Sequence, residues 1–179
     1  MQKDFNEIVK TLLDSEHIDP TRENKQGISP LRMAAICNNQ QAFALVWYAI
    51  IKKENTNKAN AEDKIKADST QLQHLFKQDK EGHSVFASAY LPDPGFFGSN
   101  ASLNMFKAIL EIVNKSLKAN LNTDNLDKII KEIMDLQHKG KIRQKYASKL
   151  QNEVNLIKHP KPSEPSAKKG KGSSSSEEA

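Results

Sequence analysis

The sequence predicts an all-α fold of short helices joined by tight turns, followed by a tail that does not fold. Three observations carry this expectation. Apolar residues recur at three- and four-residue spacing in stretch after stretch between Phe5 and Ile157. Gly, Pro and Asn/Asp signals punctuate the chain between those stretches. From His159 onward the sequence is Pro, Lys, Ser and Glu with no apolar pattern to offset its conformational entropy. A length of 179 residues suits one domain, and an apolar share of 37% sits slightly below the globular norm, so part of the chain is expected outside the core.

Phe5, Ile8, Val9, Leu12 and Leu13 fall on one face of an opening helix. Asp19-Pro20 stops it, because proline lacks a backbone donor and restrains the residue before it. In Asn24-Lys-Gln-Gly27-Ile-Ser29-Pro30-Leu31, Gly27 suits a positive φ, Ser29 a helix cap and Pro30 the first helical position. A second helix, Gln41 to about Lys52, places Ala42, Leu45, Val46, Ala49 and Ile50 on one face with Phe43 and Trp47 on its flank.

The same grammar returns at Asp79-Lys-Glu-Gly82-His83-Ser84-Val85-Phe86-Ala87-Ser88-Ala89, before a helix carrying Leu103, Phe106, Ile109, Leu110, Val113 and Leu117. Between the two units, residues 52–78 begin polar and then offer Ile65, Leu72, Leu75 and Phe76, which predicts a loop and a short helix capped by Ser69. A Pro- and Gly-rich loop at 90–102 splits the second unit. Thr123-Asp124 caps a helix bearing Leu126, Ile129, Ile130, Ile133 and Met134, Gly140 ends it, and a last helix carries Ile142, Tyr146, Leu150, Val154 and Ile157.

The turn glycine, Ser29-Pro30-Leu31, Ala34-Ala35, a short break and a second helix resemble the ankyrin repeat. Ile8-Val9-x-x-Leu12-Leu13 with Ile18-Asp19-Pro20 is similar to the end of a preceding repeat. The resemblance covers about residues 3–117 and implies modules that bury their apolar faces only by stacking on a neighbour. Gly27 and Gly82 lie 55 residues apart, so against a period of about 33 some 22 residues are inserted. Arg32 stands where the family usually has histidine, and Val85-Phe86 where it has Pro-Leu. Residues 118–158 lack the signature and read as a helical cap, with a degenerate third repeat as the alternative. The expected organisation is a helical domain over 1–158 and a disordered tail over 159–179.

In the ankyrin family the turns and first helices form a concave surface that binds proteins. The resemblance therefore implies contacts by Lys25, Gln26, Arg32, Met33, Ile36, Lys80, Glu81 and His83 with a protein partner, the free chain being monomeric. Phe96 and Phe97, between glycines on the 90–102 loop, either anchor that partner or fold back into the gap between helices. Trp47 and Tyr48 are expected in the core, and Cys37 as a small buried thiol. No phosphate-cradling glycine loop, nucleophile elbow or histidine ligand spacing is present, so neither an enzyme, a metal nor a cofactor is expected.

A single cysteine, no signal-peptide pattern at the N-terminus and no apolar run approaching the ~20 residues of a membrane helix predict a cytoplasmic protein. A net charge of +5 concentrates in the last third, where Lys139, Lys141, Arg143, Lys145 and Lys149 interleave with Tyr146. That run offers nucleic-acid binding as an alternative, although a solvated helix face is its plainer meaning. The ending Ser173-Ser-Ser-Ser-Glu-Glu-Ala179 resembles the C-terminal secretion signals of bacterial effectors and gives a second alternative, a protein delivered into a host cell.

Overall fold

Asn24 and Asp79 each fold a short turn around their own side chain. Asn24 Oδ1 accepts the backbone N–H groups of Gln26 (2.9 Å) and Ile28 (3.0 Å), while the Gly27 N–H donates to Asn24 O (3.0 Å). Asp79 Oδ1 does the same for Glu81 and His83 (both 2.9 Å), and the Gly82 N–H donates to Asp79 O (3.1 Å). Gly27 and Gly82 take φ of +78° and +80°, the left-handed conformation that side chains with a Cβ avoid. Each turn then hands over to a serine cap: Ser29 Oγ accepts from Arg32 N (3.3 Å) and Ser84 Oγ from Ala87 N (3.1 Å). The two units read from the sequence are one local structure built twice.

The computed structural model describes residues 2–15, 17–55, 70–91, 99–116 and 121–159, with backbone alone at 2–5 and 99–101. All regular structure among them is helical: α1 (Gln2–Leu13), α2 (Pro30–Ile36), α3 (Gln40–Asn55), α4 (70–76), α5 (Val85–Tyr90), α6 (Ser99–Ser116), α7 (Thr123–His138) and α8 (Gln144–Lys158). α2 closes through Asn38 at φ +51°, with the Asn39 N–H bonded back to Ala34 O at 2.9 Å. Asn39 Oδ1 then caps α3 by accepting from Ala42 N at 2.9 Å. α7 ends in the same way at Gly140 (φ +68°), and its cap is Asn122, one residue before the expected Thr123.

The helices form two layers. α2, α5 and α7 pack in succession in one, and α1, α3, α6 and α8 in the other, with α2/α3, α5/α6 and α7/α8 as the pairs linking them. α7 packs on α5 and α8 on α6, so this last pair extends both layers. The core runs between the layers. Phe86 packs on Phe76 (ring centroids 5.5 Å) and edge-on to Phe106 (6.3 Å), which meets Tyr90 at 5.4 Å. Full burial of each such ring stabilises the fold by about 2 kcal/mol.

α3 is turned relative to its expected face. Phe43 and Trp47 are fully buried, and the indole N–H donates to Ser116 Oγ at 2.6 Å, tying α3 to α6. Leu45 and Ala49 move to the margin. The same rotation corrects the expectation for Tyr48, which follows Trp47 round the helix and is 52% exposed. Cys37 is also exposed, not buried, because it occupies the C-cap of α2, where the chain turns away from the core. Met134 likewise lies outside, with Leu126, Ile129, Ile133 and Leu136 forming the buried face of α7. Ile65, Ser69, Phe96, Phe97, Leu117, most of the 90–102 loop and the tail from 160 onward lie outside the described residues.

Candidate functional site

The stacking of α2 on α5 sets the two turns side by side. Lys80 crosses to the first turn and donates from Nζ to Lys25 O at 2.9 Å. Arg32 reaches the other way. Its Nη1 donates to Gly27 O (3.2 Å), and its Nη2 to Lys77 O (2.5 Å) and His83 O (2.7 Å), with the Asp79 carboxylate 3.6 Å from Nη1. Arg32 is 2% exposed. It is therefore an internal tie between turns and not the partner contact expected at that position. The planar guanidinium suits this role, because it offers several donors at fixed angles to carbonyls that are themselves fixed.

On the far side of α5, α7 supplies the complementary group. Glu132 accepts from Ser84 N (3.1 Å) and Ser84 Oγ (2.5 Å), so its carboxylate sits at the start of α5. Between these elements lies a groove of about 840 Å³. Phe76, Glu81 and His83 form one wall, and Lys128, Lys131, Asp135 and Lys139 the other. Lys128 Nζ stands 5.7 Å over the Phe76 ring.

The expected contact residues divide three ways. Lys25, Gln26, Lys80 and Glu81 are exposed at the turn tips, and His83 is partly buried with Nδ1 3.4 Å from Glu81. Met33 (41% exposed) lies elsewhere, in an apolar recess of about 250 Å³ with Leu12, Ile18, Pro20 and Cys37. Ile36 is half-buried.

The basic run is split as well. Lys139 lines the groove, Lys141 borders both hollows, and Arg143, Lys145 and Lys149 surround a separate recess of about 530 Å³ with Tyr90 and Tyr146. Burial pushes the Tyr146 hydroxyl up to about 12, and burial followed by the nearby Glu132 charge pushes the Tyr90 hydroxyl well above the tyrosine range.

Sequence reasoning missed Lys128, Lys131, Glu132 and Tyr90. Their signal was present: Lys128, Lys131, Glu132 and Asp135 recur at three- and four-residue spacing on α7. Which neighbour that polar face meets depends on how the helix pairs stack. Among the described residues no group of three or more His, Cys, Asp or Glu is placed to hold a metal, and no helix is long and apolar enough to cross a membrane. Compared with known proteins, the chain matches no family model, no curated protein and no solved structure.

Proposed function

We propose that this chain is a non-enzymatic adaptor on an ankyrin-like stack, with α7 and α8 as a degenerate third unit, and that it binds another protein with its turn tips and the groove beside them. The observation that carries the reading is the Arg32 tie, which fixes two turns against each other while leaving Lys25, Gln26, Lys80 and Glu81 exposed. A surface ordered before binding loses little conformational freedom on association, which is what a recognition face requires. In the groove, Lys128, Lys131, Lys139 and Lys141 outnumber Glu81, Glu132 and Asp135, so the favoured partner presents an acidic segment.

A charge-reversed pair, Lys80→Glu with Lys131→Glu, tests this in a pull-down from lysate run with and without nuclease. The reading expects a nuclease-resistant partner that the intact chain captures and the reversed chain loses, with the helical circular dichroism signal unchanged. Capture indifferent to the reversal, or abolished by nuclease, contradicts it.

A further inference from the structure

The two ends of the stack are finished differently. At the α7/α8 end Glu132 faces α5, so Asp127 and Met134, each roughly 200° round the helix from it, face away. Asp127 is ion-paired with Lys158 at 2.6 Å, which sets a charged pair on the same face as Met134. At the other end Asn6 faces α3, donating to Gln41 Oε1 at 2.7 Å, so Ile8, also roughly 200° round, faces away. Ile8 and Leu12 are 57% and 51% exposed, and Ile18 and Met33 are exposed as well. A repeat stack needs a polar outer face on its terminal units, and this end presents four large apolar side chains instead.

This apolar surface has a shape. α3, α6 and α8 each have a partner across the stack, in α2, α5 and α7. Where α1 would have one there is a recess of about 250 Å³, lined by Val9, Leu12 and Leu13 of α1, Ile18 of the connector, and Met33 and Cys37 of α2. Its place in the layers is that of one more helix before α2, and its lining calls for apolar side chains on that helix. α1 fits the description. Val9 and Leu13 pack on the core of its own stack, while Ile8 and Leu12, one turn apart, form a second apolar edge.

We propose that the chain forms a two-fold dimer through α1 and the recess beside α2, in place of the monomer that the resemblance implied. A two-fold axis parallel to α1 reverses the direction of the stack and exchanges its layers. It therefore sets the α1 of one copy in the open place of the other, and each α1 serves one layer of its own stack and the opposite layer of its partner's. Ile8 and Leu12 meet their counterparts across the axis, and the same patch is used on both copies, so the assembly closes at two. Charge favours this pairing over others. Residues 1–40 hold five Lys and Arg and six Asp and Glu of the chain's 27 and 22, so this end is nearly neutral and the rest carries the positive excess. Two copies joined here keep their basic regions at opposite extremes, whereas a contact through α7 and α8 would bring like charges together.

Sedimentation velocity of the full chain from about 1 to 200 µM tests this, beside Leu12→Glu, Met33→Glu and Met134→Glu, with helical circular dichroism as the check on folding. The parent chain is expected to pass from monomer to dimer across that range. Leu12→Glu and Met33→Glu change exposed side chains on the two walls of the recess and should each raise the dissociation constant about tenfold or more, while Met134→Glu leaves it unchanged. Met33 stands on α2, so its variant reads the recess even where Leu12→Glu loosens α1. An Ile8→Cys chain on a Cys37→Ser background should form a disulfide with its own copy on mild oxidation. The proposal is overturned by a chain that stays monomeric throughout, by a dimer lost to Met134→Glu and not to Leu12→Glu or Met33→Glu, or by an Ile8→Cys dimer that does not cross-link. A monomeric chain that captures a different protein from lysate and loses it with Met33→Glu would equally overturn it, in favour of a foreign helix in the recess.

Discussion

Where α2 meets the second turn, a buried cation closes the junction by donating to carbonyl oxygens; where α7 meets α5, a carboxylate closes it by accepting from Ser84. The difference follows from what each neighbour leaves open. The second turn directs Lys77 O and His83 O toward α2, and these need donors. The start of α5 offers an N–H and a hydroxyl to α7, and these need an acceptor. Opposite charges thus solve the same problem, and each is chosen by local backbone polarity. Arg32 bridges 45 and 51 residues of sequence, Glu132 bridges 48.

If this comparison is right, the first junction is the more fragile. Arg32→Met should destabilise the chain by about 3 kcal/mol, because it takes from the Gly27, Lys77 and His83 carbonyls the buried guanidinium that donates to all three. Glu132→Gln keeps one acceptor for Ser84 and should cost about 1 kcal/mol. Chemical denaturation of both variants and of the double variant checks the ranking. Near-additive losses are expected, since the two ties share no partner. Strong coupling would mean that the turn and α5 respond as one unit.

Gly82→Ala probes the turn itself. No atom lies within 4 Å of the added Cβ, so the cost of about 1 kcal/mol comes from φ alone. Gly27→Ala should cost about the same, because its Cβ would meet only Lys80 Cγ at an ordinary 3.8 Å. A much larger loss at Gly27 would show that the two turns are packed more tightly than this.

The smallest effect lies outside both junctions. Asp19 accepts from the backbone N–H and hydroxyl of Thr21 and from Lys53, which hold its carboxyl at about 2, below its ordinary 3.8. A lowered folded value stabilises the chain above the unfolded pKa, and that contribution disappears as pH falls from about 4 through 2. Asp19 is exposed, so an acid titration should show only a slightly shallower loss for Asp19→Asn than for the parent chain.

The two turns were legible from sequence because every group that makes them is local. Asn24 or Asp79, a glycine three residues on and a serine two after that carry the whole hydrogen-bond pattern. The all-α class and the helix limits, within a few residues, were legible for the same reason. Arg32 was not, because a lone arginine reads as a solvated side chain until a second turn is stacked against it. The rotation of α3 was equally hidden. Val46, Ile50 and their neighbours define a broad stripe, and only α6, with Ser116 waiting for the indole N–H, brings Phe43 and Trp47 to its centre. The basic run was visible as charge, but its division between two recesses depends on Gly140 turning the chain between α7 and α8.

The most direct test of the two-junction account is amide hydrogen exchange on an Arg32→Lys chain, which keeps the charge and loses the fork. The account predicts that the Asp79, Glu81 and His83 amides exchange about tenfold faster or more, while the Ser84 amide held by Glu132 keeps its protection. Unchanged exchange in the second turn, or an equal rise at both junctions, would contradict it.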